Sequence, residues 1–157
     1  MPIETLPPHD PEAEAAVLGS LLIDPDAYYE VSDILAPEAF YHPSNRWLYE
    51  AIQSLSARQE PPDIVVIQDE LIRAGRLDEV GGMSYMLNLL TAVPTSINAE
   101  YYARIVADKA TRRRLIQAAG QVAKAAYDEA QPIGDVVAAA EAAVMGAGAD
   151  TDRGAVV

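Results

Sequence analysis

Nearby pairs of carboxylates are the side chains of this chain best suited to acid and base chemistry. Asp24 lies two residues before Asp26, and Asp69 directly precedes Glu70. Two carboxylates can serve as general acid and general base when they share a cleft that excludes water. These residues lie at predicted helix starts or on polar helix faces, where capping and solvation explain them. The pattern therefore favours a structural role and leaves a small hydrolase as one hypothesis.

Patterns for a nucleophile or a metal ligand set are weaker still. His9 and His42 are the only histidines, both lie beside prolines, and the chain has no cysteine. A zinc site of the usual type needs several histidine or cysteine ligands. A serine nucleophile at Ser84 or Ser96 would lack a histidine base nearby. We interpret both histidines as turn residues and predict no metal site.

The sequence also lacks a phosphate-binding loop. Such a loop needs glycines that wrap an anion and a lysine that reaches the outer phosphates, and neither Gly-Lys-Ser nor Gly-Lys-Thr occurs. The nearest glycine cluster is Gly-Ala-Gly at residues 146–148, which no lysine follows. We therefore predict that this chain is not an enzyme, holds no cofactor and works through binding and assembly.

The charge of the chain is strongly acidic, with one basic exception. It carries 24 acidic and 11 basic residues, a formal net charge of −13. Such a surface repels phosphate backbones, which predicts weak binding to DNA and RNA. The exception is the basic cluster of Arg112, Arg113 and Arg114, with Arg104 and Lys109 nearby. We favour a solvated helix face paired with neighbouring carboxylates, and the alternative is a patch that contacts an acidic surface on another subunit or protein.

Length and hydropathy predict a soluble domain. A chain of 157 residues fits one domain plus an arm. No apolar run approaches the roughly 20 residues that a membrane span requires. Residues 1–11 carry proline and acid instead of the basic and apolar run of a signal peptide, and the absence of cysteine is compatible with a reducing compartment. We expect a cytoplasmic protein that makes no contact with a membrane.

The longest predicted element is a helix near the end of the chain. Residues 98–129 contain no proline and one glycine, Gly120, and a continuous helix of this length would extend roughly 48 Å. Its first half carries Tyr102, Ile105 and Val106 on one side, whereas the apolar positions of its second half centre about a quarter-turn away. The basic stretch between the halves could divide the helix in two, but no proline or glycine marks a break. We favour one continuous helix.

Alanine-rich segments predict that this helix folds back as a hairpin. Its second half and residues 138–143 are rich in alanine, including Ala139 and Ala143. Small side chains let two helix axes approach closely, which predicts an antiparallel pair joined at residues 131–134, with Asp135 as the cap of the return helix. Because alanine contributes little apolar area, the pair buries little surface by itself. We therefore expect self-association through this hairpin.

The residues before the hairpin predict a compact body of short helices. Aspartate followed by proline, at residues 10–11 and again at 24–25, is a signal for a helix start. Trp47 belongs to a 3-4 apolar spacing that predicts core. The β-branched run at residues 64–67 could be a buried strand, but a helical period continues beyond it. The predicted helices span residues 11–23, 25–35, 44–57, 64–74 and 83–91, with a loop at 76–82.

These elements together predict an all-α fold, in which a compact helical body is followed by a long helical hairpin. The predicted body spans residues 1–96 and the hairpin residues 97–146. Residues 147–157 are small and polar, which is typical of the start of a linker.

Several short motifs occur along the chain in a characteristic order. They are PPHDPEAEAAVLGS at residues 7–20, FYH at 40–42, RWLYEAI at 46–52, PDIV at 62–65, GGMSYM at 81–86, VPTSIN at 93–98, YYARIV at 101–106 and RRLI at 113–116. Each motif is weak alone. Their order and spacing, from about residue 7 to residue 145, resemble the amino-terminal part of bacterial replicative DNA helicases of the DnaB type.

The resemblance implies a collar domain, whose helical hairpins pair into dimers and whose dimers are arranged three to a ring. In that family an ATP-dependent 5′–3′ helicase motor, with its ATP and Mg, lies in a separate RecA-like domain after a linker. The collar helps to hold the hexamer and docks DNA primase, and a helicase loader is a further candidate partner. DNA contacts are expected from the motor domain, which agrees with the acidity of this chain.

The resemblance also implies positions for partner contacts. Tyr85, Ile116 and Val122 lie at the predicted junction of body and hairpin, where they are expected to influence primase docking or the packing of the collar, with ordinary core packing as the equal alternative. The family often has a bulkier residue in the second arm, so the alanines here weaken the expected dimer. The predicted partner-interface residues are Tyr85, Arg113, Ile116, Val122, Ala139 and Ala143.

Two other hypotheses stay open at this point. The chain could be a stand-alone all-helical adaptor for protein interactions, which a motor domain with a phosphate-binding loop after residue 157 would exclude. It could also be the small hydrolase that uses paired carboxylates. That hypothesis needs a polar pocket with two carboxylates and walls that exclude water.

Overall fold

The computed structural model describes residues 6–92 and 98–149. Within these ranges the secondary structure is helical and contains no strand, as predicted. The α-helices are α1 (Pro11–Ile23), α2 (Tyr28–Ser32), α3 (Pro43–Ala57), α4 (Ile64–Arg73), α5 (Leu77–Val80), α6 (Gly82–Ala92), α7 (Ala99–Tyr127) and α8 (Ile133–Gly148), and 3-10 turns lie at Pro25–Ala27 and Pro37–Ala39.

Helix α1 begins and ends where its sequence signals predict. The side chain of Asp10 accepts a hydrogen bond of 3.0 Å from the backbone N–H of Ala13, which caps one of the unpaired donors of the first turn. Val17, Leu18 and Leu21 are fully buried in the core. A local cap and an apolar stripe are sufficient to define this helix.

The predicted helix at residues 25–35 is wrong in its extent. A 3-10 turn comes first, and α2 ends at Ser32 although Leu35 is buried as expected. The side chain of Asp24 accepts the N–H of Asp26 at 3.1 Å, which favours a tight turn over an α-helical start. At the other end, the residue before Pro37 is extended, with ψ 161°, because proline disfavours the helical conformation of its predecessor.

The middle of the body follows the helical period of the sequence. Asp63 caps α4 by accepting the N–H of Val66 at 2.9 Å, and Ile67 and Leu71 are buried, so the strand alternative for residues 64–67 is wrong. Trp47 packs against the core from a partly buried position.

The predicted loop at residues 76–82 is also wrong, because it contains the short helix α5. Leu77 and Val80 lie three residues apart and both pack on the core, which the helical spacing allows. Gly81 ends α5 in the left-handed conformation, with φ 106°. A Cβ at Gly81 would lie 3.0 Å from the Cβ of Tyr85, so the close approach of α6 adds a second requirement for glycine.

Helix α7 is continuous over 29 residues, as favoured from the sequence, and the break into two helices is wrong. Its first half packs against α1 and contributes Ala99, Ala103, Val106 and Ala110 to the core of the body. Its second half leaves the body and packs against α8. The Nε of Arg114 donates to the carbonyl oxygen of Ala147 at 3.0 Å, which places the end of α8 beside the middle of α7 and confirms the antiparallel hairpin.

The start of α8 differs from the prediction. Pro132 is the N-cap residue, and Asp135 lies inside the first turn, where its backbone N–H bonds the carbonyl oxygen of Pro132 at 3.0 Å. The carboxylate of Asp135 still lies at the positive end of the helix dipole. Helix α8 continues to Gly148, so the predicted end of the hairpin at residue 146 falls inside it. The predicted body boundary at residue 96, and the predicted linker from residue 150 onward, lie outside the described residues.

None of the helices in the described ranges combines the length and the hydropathy that crossing a membrane would require.

Candidate interaction surface

The hairpin presents apolar side chains that the described part of the chain does not cover. Between α7 and α8 the buried side chains are small or medium in size, namely Ala118, Val136 and Ala147. Larger apolar side chains on α8 and on the second half of α7 remain exposed. They are Leu115, Ile116, Tyr127, Ile133, Val137, Val144 and Met145. We call these seven side chains the hairpin surface, and exposed apolar side chains in this number are typical of a protein–protein contact.

Four of the predicted partner-interface residues lie on this hairpin. Ile116 on α7 is 57% exposed, and Ala139 on α8 is exposed as well. Val122 and Ala143 are partly buried. The structure therefore places these four residues on the two arms, with Ile116 the most accessible large side chain among them.

Tyr85 lies on α6, in the body, and is partly buried. Its ring packs against the core, and its hydroxyl donates a hydrogen bond to the Oδ1 of Asn45. Burial raises the pKa of the Tyr85 hydroxyl above its ordinary value, so the phenol remains a hydrogen-bond donor at neutral pH. The environment of Tyr85 is thus a polar contact inside the body.

Arg113 lies at the base of the hairpin and is bound within the chain. Its Nη1 donates to the carbonyl oxygen of Pro8 at 2.7 Å, and its Nη2 donates to that of Ala39 at 2.6 Å. Its guanidinium lies 5.4 Å from the centroid of the Tyr41 ring, within the range of a cation–π contact. Burial lowers the pKa of Arg113, while the carboxylate of Glu14 opposes that shift.

The rest of the basic cluster divides into two kinds of contact. Arg104 pairs with Glu100 at 2.7 Å and Arg112 with Asp108 at 3.0 Å, each one helical turn apart. Such exposed pairs contribute little to stability. The interpretation of a solvated helix face paired with neighbouring carboxylates is therefore confirmed for Arg104 and Arg112, and it is wrong for Arg113, which binds carbonyl oxygens of the body. Arg114 instead contacts α8 through the carbonyl oxygen of Ala147.

A buried carboxylate at Glu14 is the feature that the sequence reasoning missed. Glu14 is 1% exposed. Its carboxylate accepts hydrogen bonds from the backbone N–H groups of Tyr41 at 2.8 Å and His42 at 3.4 Å, and from the Nδ2 of Asn45 at 2.8 Å. The sequence does contain a signal of this burial, because Glu14 precedes Val17 by three residues and so lies within the apolar stripe of α1.

Both histidines lie in non-helical segments that precede a helix, and His42 lies in a bend, as interpreted. The Nδ1 of His9 donates to the carbonyl oxygen of Pro7 at 2.7 Å, and its ring stacks on that of Tyr41 with centroids 4.2 Å apart. His42 is the residue before Pro43 at the start of α3. Residues 6–92 and 98–149 contain no group of three side chains placed to hold a metal ion.

The carboxylate pairs of the hydrolase hypothesis serve structural contacts. Asp24 caps a turn. A surface groove between α3 and α4 does contain two carboxylates, namely Glu50 and, from the second candidate pair, Glu70. Glu50 pairs with Arg76 at 2.7 Å, and Glu70 accepts two hydrogen bonds from Arg58 that lower its pKa. A carboxyl group held ionised in this way is a poor general acid, so this groove gives the hydrolase hypothesis no support.

Comparison with known proteins agrees with the motifs and the fold. Residues 6–108 match the DnaB-like helicase N-terminal domain family. The chain is 40% identical over 142 residues to the replicative DNA helicase DnaC of Bacillus subtilis, a match that covers 90% of this chain and 31% of that protein. The chain therefore spans about a third of the length of such a relative.

Solved structures show the same arrangement of helices. The N-terminal domain of DnaB helicase from Mycobacterium tuberculosis is 42% identical, with a TM-score of 0.85 over 88% of this chain and 98% of that one. A DnaB-like replicative helicase, whose structure was described with its interactions with primase, is 27% identical, with a TM-score of 0.69 over 83% of this chain and 30% of that one. This chain belongs to the family of DnaB-like helicase N-terminal domains.

Proposed function

We propose that this chain is the non-catalytic collar of a bacterial replicative DNA helicase, which assembles through its hairpin and docks DNA primase. The observation that carries the proposal is the hairpin surface, seven exposed apolar side chains on α7 and α8. The burial of apolar area is the main driving force for association between protein subunits. Membership of a helicase domain family supplies the context in which that association acts.

In this proposal the collar pairs through the hairpin into dimers, and three dimers form the ring of the whole helicase. A two-fold dimer uses the same patch on both copies, which suits a surface made of two antiparallel helices. The ATP-dependent motor, with its ATP and Mg, belongs to a separate domain, and the contacts with DNA belong to that motor. The net charge of −13 supports this division, because an acidic collar repels the phosphate backbone. We place the assembly in the cytoplasm.

Primase is the proposed partner at the junction of body and hairpin, near Ile116 and Val122. One relative was described with its interactions with primase, and Ile116 is accessible here. A helicase loader is a second candidate partner. The competing hypothesis, a stand-alone helical adaptor, shares the apolar hairpin but has no motor and no primase partner.

Two measurements on the purified chain test this function. Light scattering over a range of concentrations is expected to show a dimer that dissociates on dilution, and a strict monomer at high micromolar concentration would contradict assembly through the hairpin. Titration of the matching primase's helicase-binding domain, followed by calorimetry, is expected to show saturable binding. An absence of binding, together with dimer formation, would favour the adaptor.

A further inference from the structure

The buried carboxylate of Glu14 lies at the centre of a polar network that joins three parts of the molecule. It accepts hydrogen bonds from the turn before α3, at Tyr41 and His42, and from the side chain of Asn45 on α3. A buried carboxylate is tolerated only when such donors replace water. The network therefore fixes the position of α1 relative to the start of α3.

Asn45 extends this network to Tyr85. Asn45 is itself buried, and its amide is used at both ends: the Nδ2 donates to Glu14 and the Oδ1 accepts from the hydroxyl of Tyr85. Because an amide has one donor end and one acceptor end, this orientation satisfies both neighbours at once. Helix α6 is thus connected to Glu14 through a single intervening side chain.

The same turn extends the network to the hairpin. Arg113 on α7 donates to the carbonyl oxygen of Ala39 and lies over the ring of Tyr41, whose backbone N–H is bound by Glu14. Arg113 also donates to Pro8, which holds the segment before α1. Residues 39–42 are therefore bound on one side by Glu14 and on the other by Arg113, which lies at the base of the hairpin.

We propose that Glu14 is a positioning residue, which sets the orientation of the hairpin relative to the body by joining Tyr85 and Arg113 through the turn at residues 39–42. Tyr85 then influences primase docking through this network and not by contact with primase. The statement about docking rests on the proposed function, whereas the statement about orientation does not. Tyr85 and Arg113, predicted separately as partner-interface residues, are in this proposal two ends of one connection.

Orientation can be measured directly, because the chain has no cysteine and accepts spin labels at chosen sites. Cysteines at Asp69, exposed on α4, and at Gln131, exposed at the hairpin turn, place one label on the body and one on the tip. Distances are measured by pulsed electron paramagnetic resonance, with an excess of unlabelled chain to remove contributions from dimers. Glu14→Gln and Tyr85→Phe are the test variants, and Tyr29→Phe, at a largely exposed ring on α2, is the matched control.

We expect Glu14→Gln and Tyr85→Phe to broaden or shift the distance distribution, and Tyr29→Phe to leave it unchanged. Tyr85→Phe is an independent test if Glu14→Gln does not fold. In the primase titration, loss of the Tyr85 hydroxyl is expected to weaken binding by up to about fivefold, the limit set by one hydrogen bond that acts on docking only through the orientation of the hairpin. The same change made on top of Glu14→Gln should have almost no further effect, because the connection is already broken.

Unchanged distances in both variants would overturn the proposal. The proposal would also be overturned if the fold-loss of primase affinity in the double variant equalled the product of the losses in the two single variants. Such independent effects indicate a direct contact by Tyr85. If the unaltered chain binds no primase, the docking part of the proposed function fails while the distances still decide the role of Glu14. The two failures are therefore distinguishable.

Discussion

Replacing Ile116 by aspartate should weaken self-association without unfolding the chain. Ile116 is 57% exposed on α7, so just over half of the benefit of burying it remains available to a partner. Full burial of such a side chain contributes about 1.5–3 kcal/mol, which leaves roughly 1–1.5 kcal/mol for each copy. A two-fold interface uses each residue twice, so the dimer should lose about 2–3 kcal/mol, or roughly 30- to 160-fold in affinity.

Ile72→Asp supplies a closely matched control. Ile72 is 55% exposed, but it lies on α4, away from the hairpin. Its replacement by aspartate makes the same change in charge and size as Ile116→Asp. Sedimentation equilibrium of both variants and of the unaltered chain gives the dimer dissociation constants, and the helical signal in circular dichroism confirms that each variant is folded. Equal weakening by both substitutions, or none by Ile116→Asp, would refute association through this face of α7.

Three further predictions concern the stability of the chain, measured by urea unfolding. Asp63→Ala removes the cap on α4 and should cost about 1 kcal/mol, because the N–H of Val66 loses its acceptor. Glu70→Gln should flatten the fall in stability at acid pH: the folded-state pKa of Glu70 lies below its ordinary 4.5, so its contribution is present above that value and is lost as the pH falls through the folded-state pKa. Ala118→Leu should cost about 1–3 kcal/mol, because Ala118 is buried between α7 and α8 and a larger side chain forces them apart.

Each of these predictions has its own control. Asp69→Ala, at an exposed position within α4, should leave stability nearly unchanged, and an equal loss from both aspartates would argue against capping. If the free energy of unfolding falls equally steeply at acid pH in Glu70→Gln and in the unaltered chain, the contact between Glu70 and Arg58 does not contribute to stability. Ala119→Leu, exposed beside Ala118, should change stability by less than about 0.5 kcal/mol, and a loss equal to that of Ala118→Leu would contradict close packing at Ala118.

The parts of the fold that the sequence predicts are those governed by local signals. Asp10 and Pro11 define the start of α1 within one turn, and the absence of helix breakers predicts the continuity of α7. Both depend on residues close in the chain. The apolar spacing of α4 likewise outweighs the β propensity of its β-branched start.

Among the parts that were wrong or missed, helix α5 and the burial of Glu14 depend on neighbours distant in the chain, whereas the start of α8 was misplaced by a few residues within one turn. Helix α5 is four residues long, too short to form without the core that Leu77 and Val80 contact. Asp135 fits the type of a capping residue, but Pro132 occupies that position. The donors that bind Glu14 come from residues 27 to 31 positions away, so a carboxylate inside an apolar stripe could indicate burial but not its partners.

The candidate interaction surface was predicted where it depends on local sequence signals and not where it depends on contacts between distant residues. The alanine-rich spacing predicts a hairpin with little buried area, and the structure confirms an antiparallel pair with exposed apolar side chains. The basic cluster, in contrast, looked like one surface. Only the fold separates Arg112, which pairs with Asp108 on its own helix, from Arg113, which binds the carbonyl oxygens of Pro8 and Ala39.

Arg113 and Glu14 lie near the point at which α7 passes from the body into the hairpin, and the geometry of α7 explains why contacts there matter. Ala110 is the last residue of α7 in the core cluster of the body, and from there to Tyr127 the helix extends roughly 25 Å. Over that length a tilt of about 5° at the base displaces the tip by about 2 Å, which is comparable to the misfit that a packed interface rejects. Contacts at the tip correct such a tilt little within one chain, because among the described elements α8 packs mainly against α7. The network around Glu14 lies where α7 leaves the body, and there a few hydrogen bonds have the greatest effect on where the hairpin surface points.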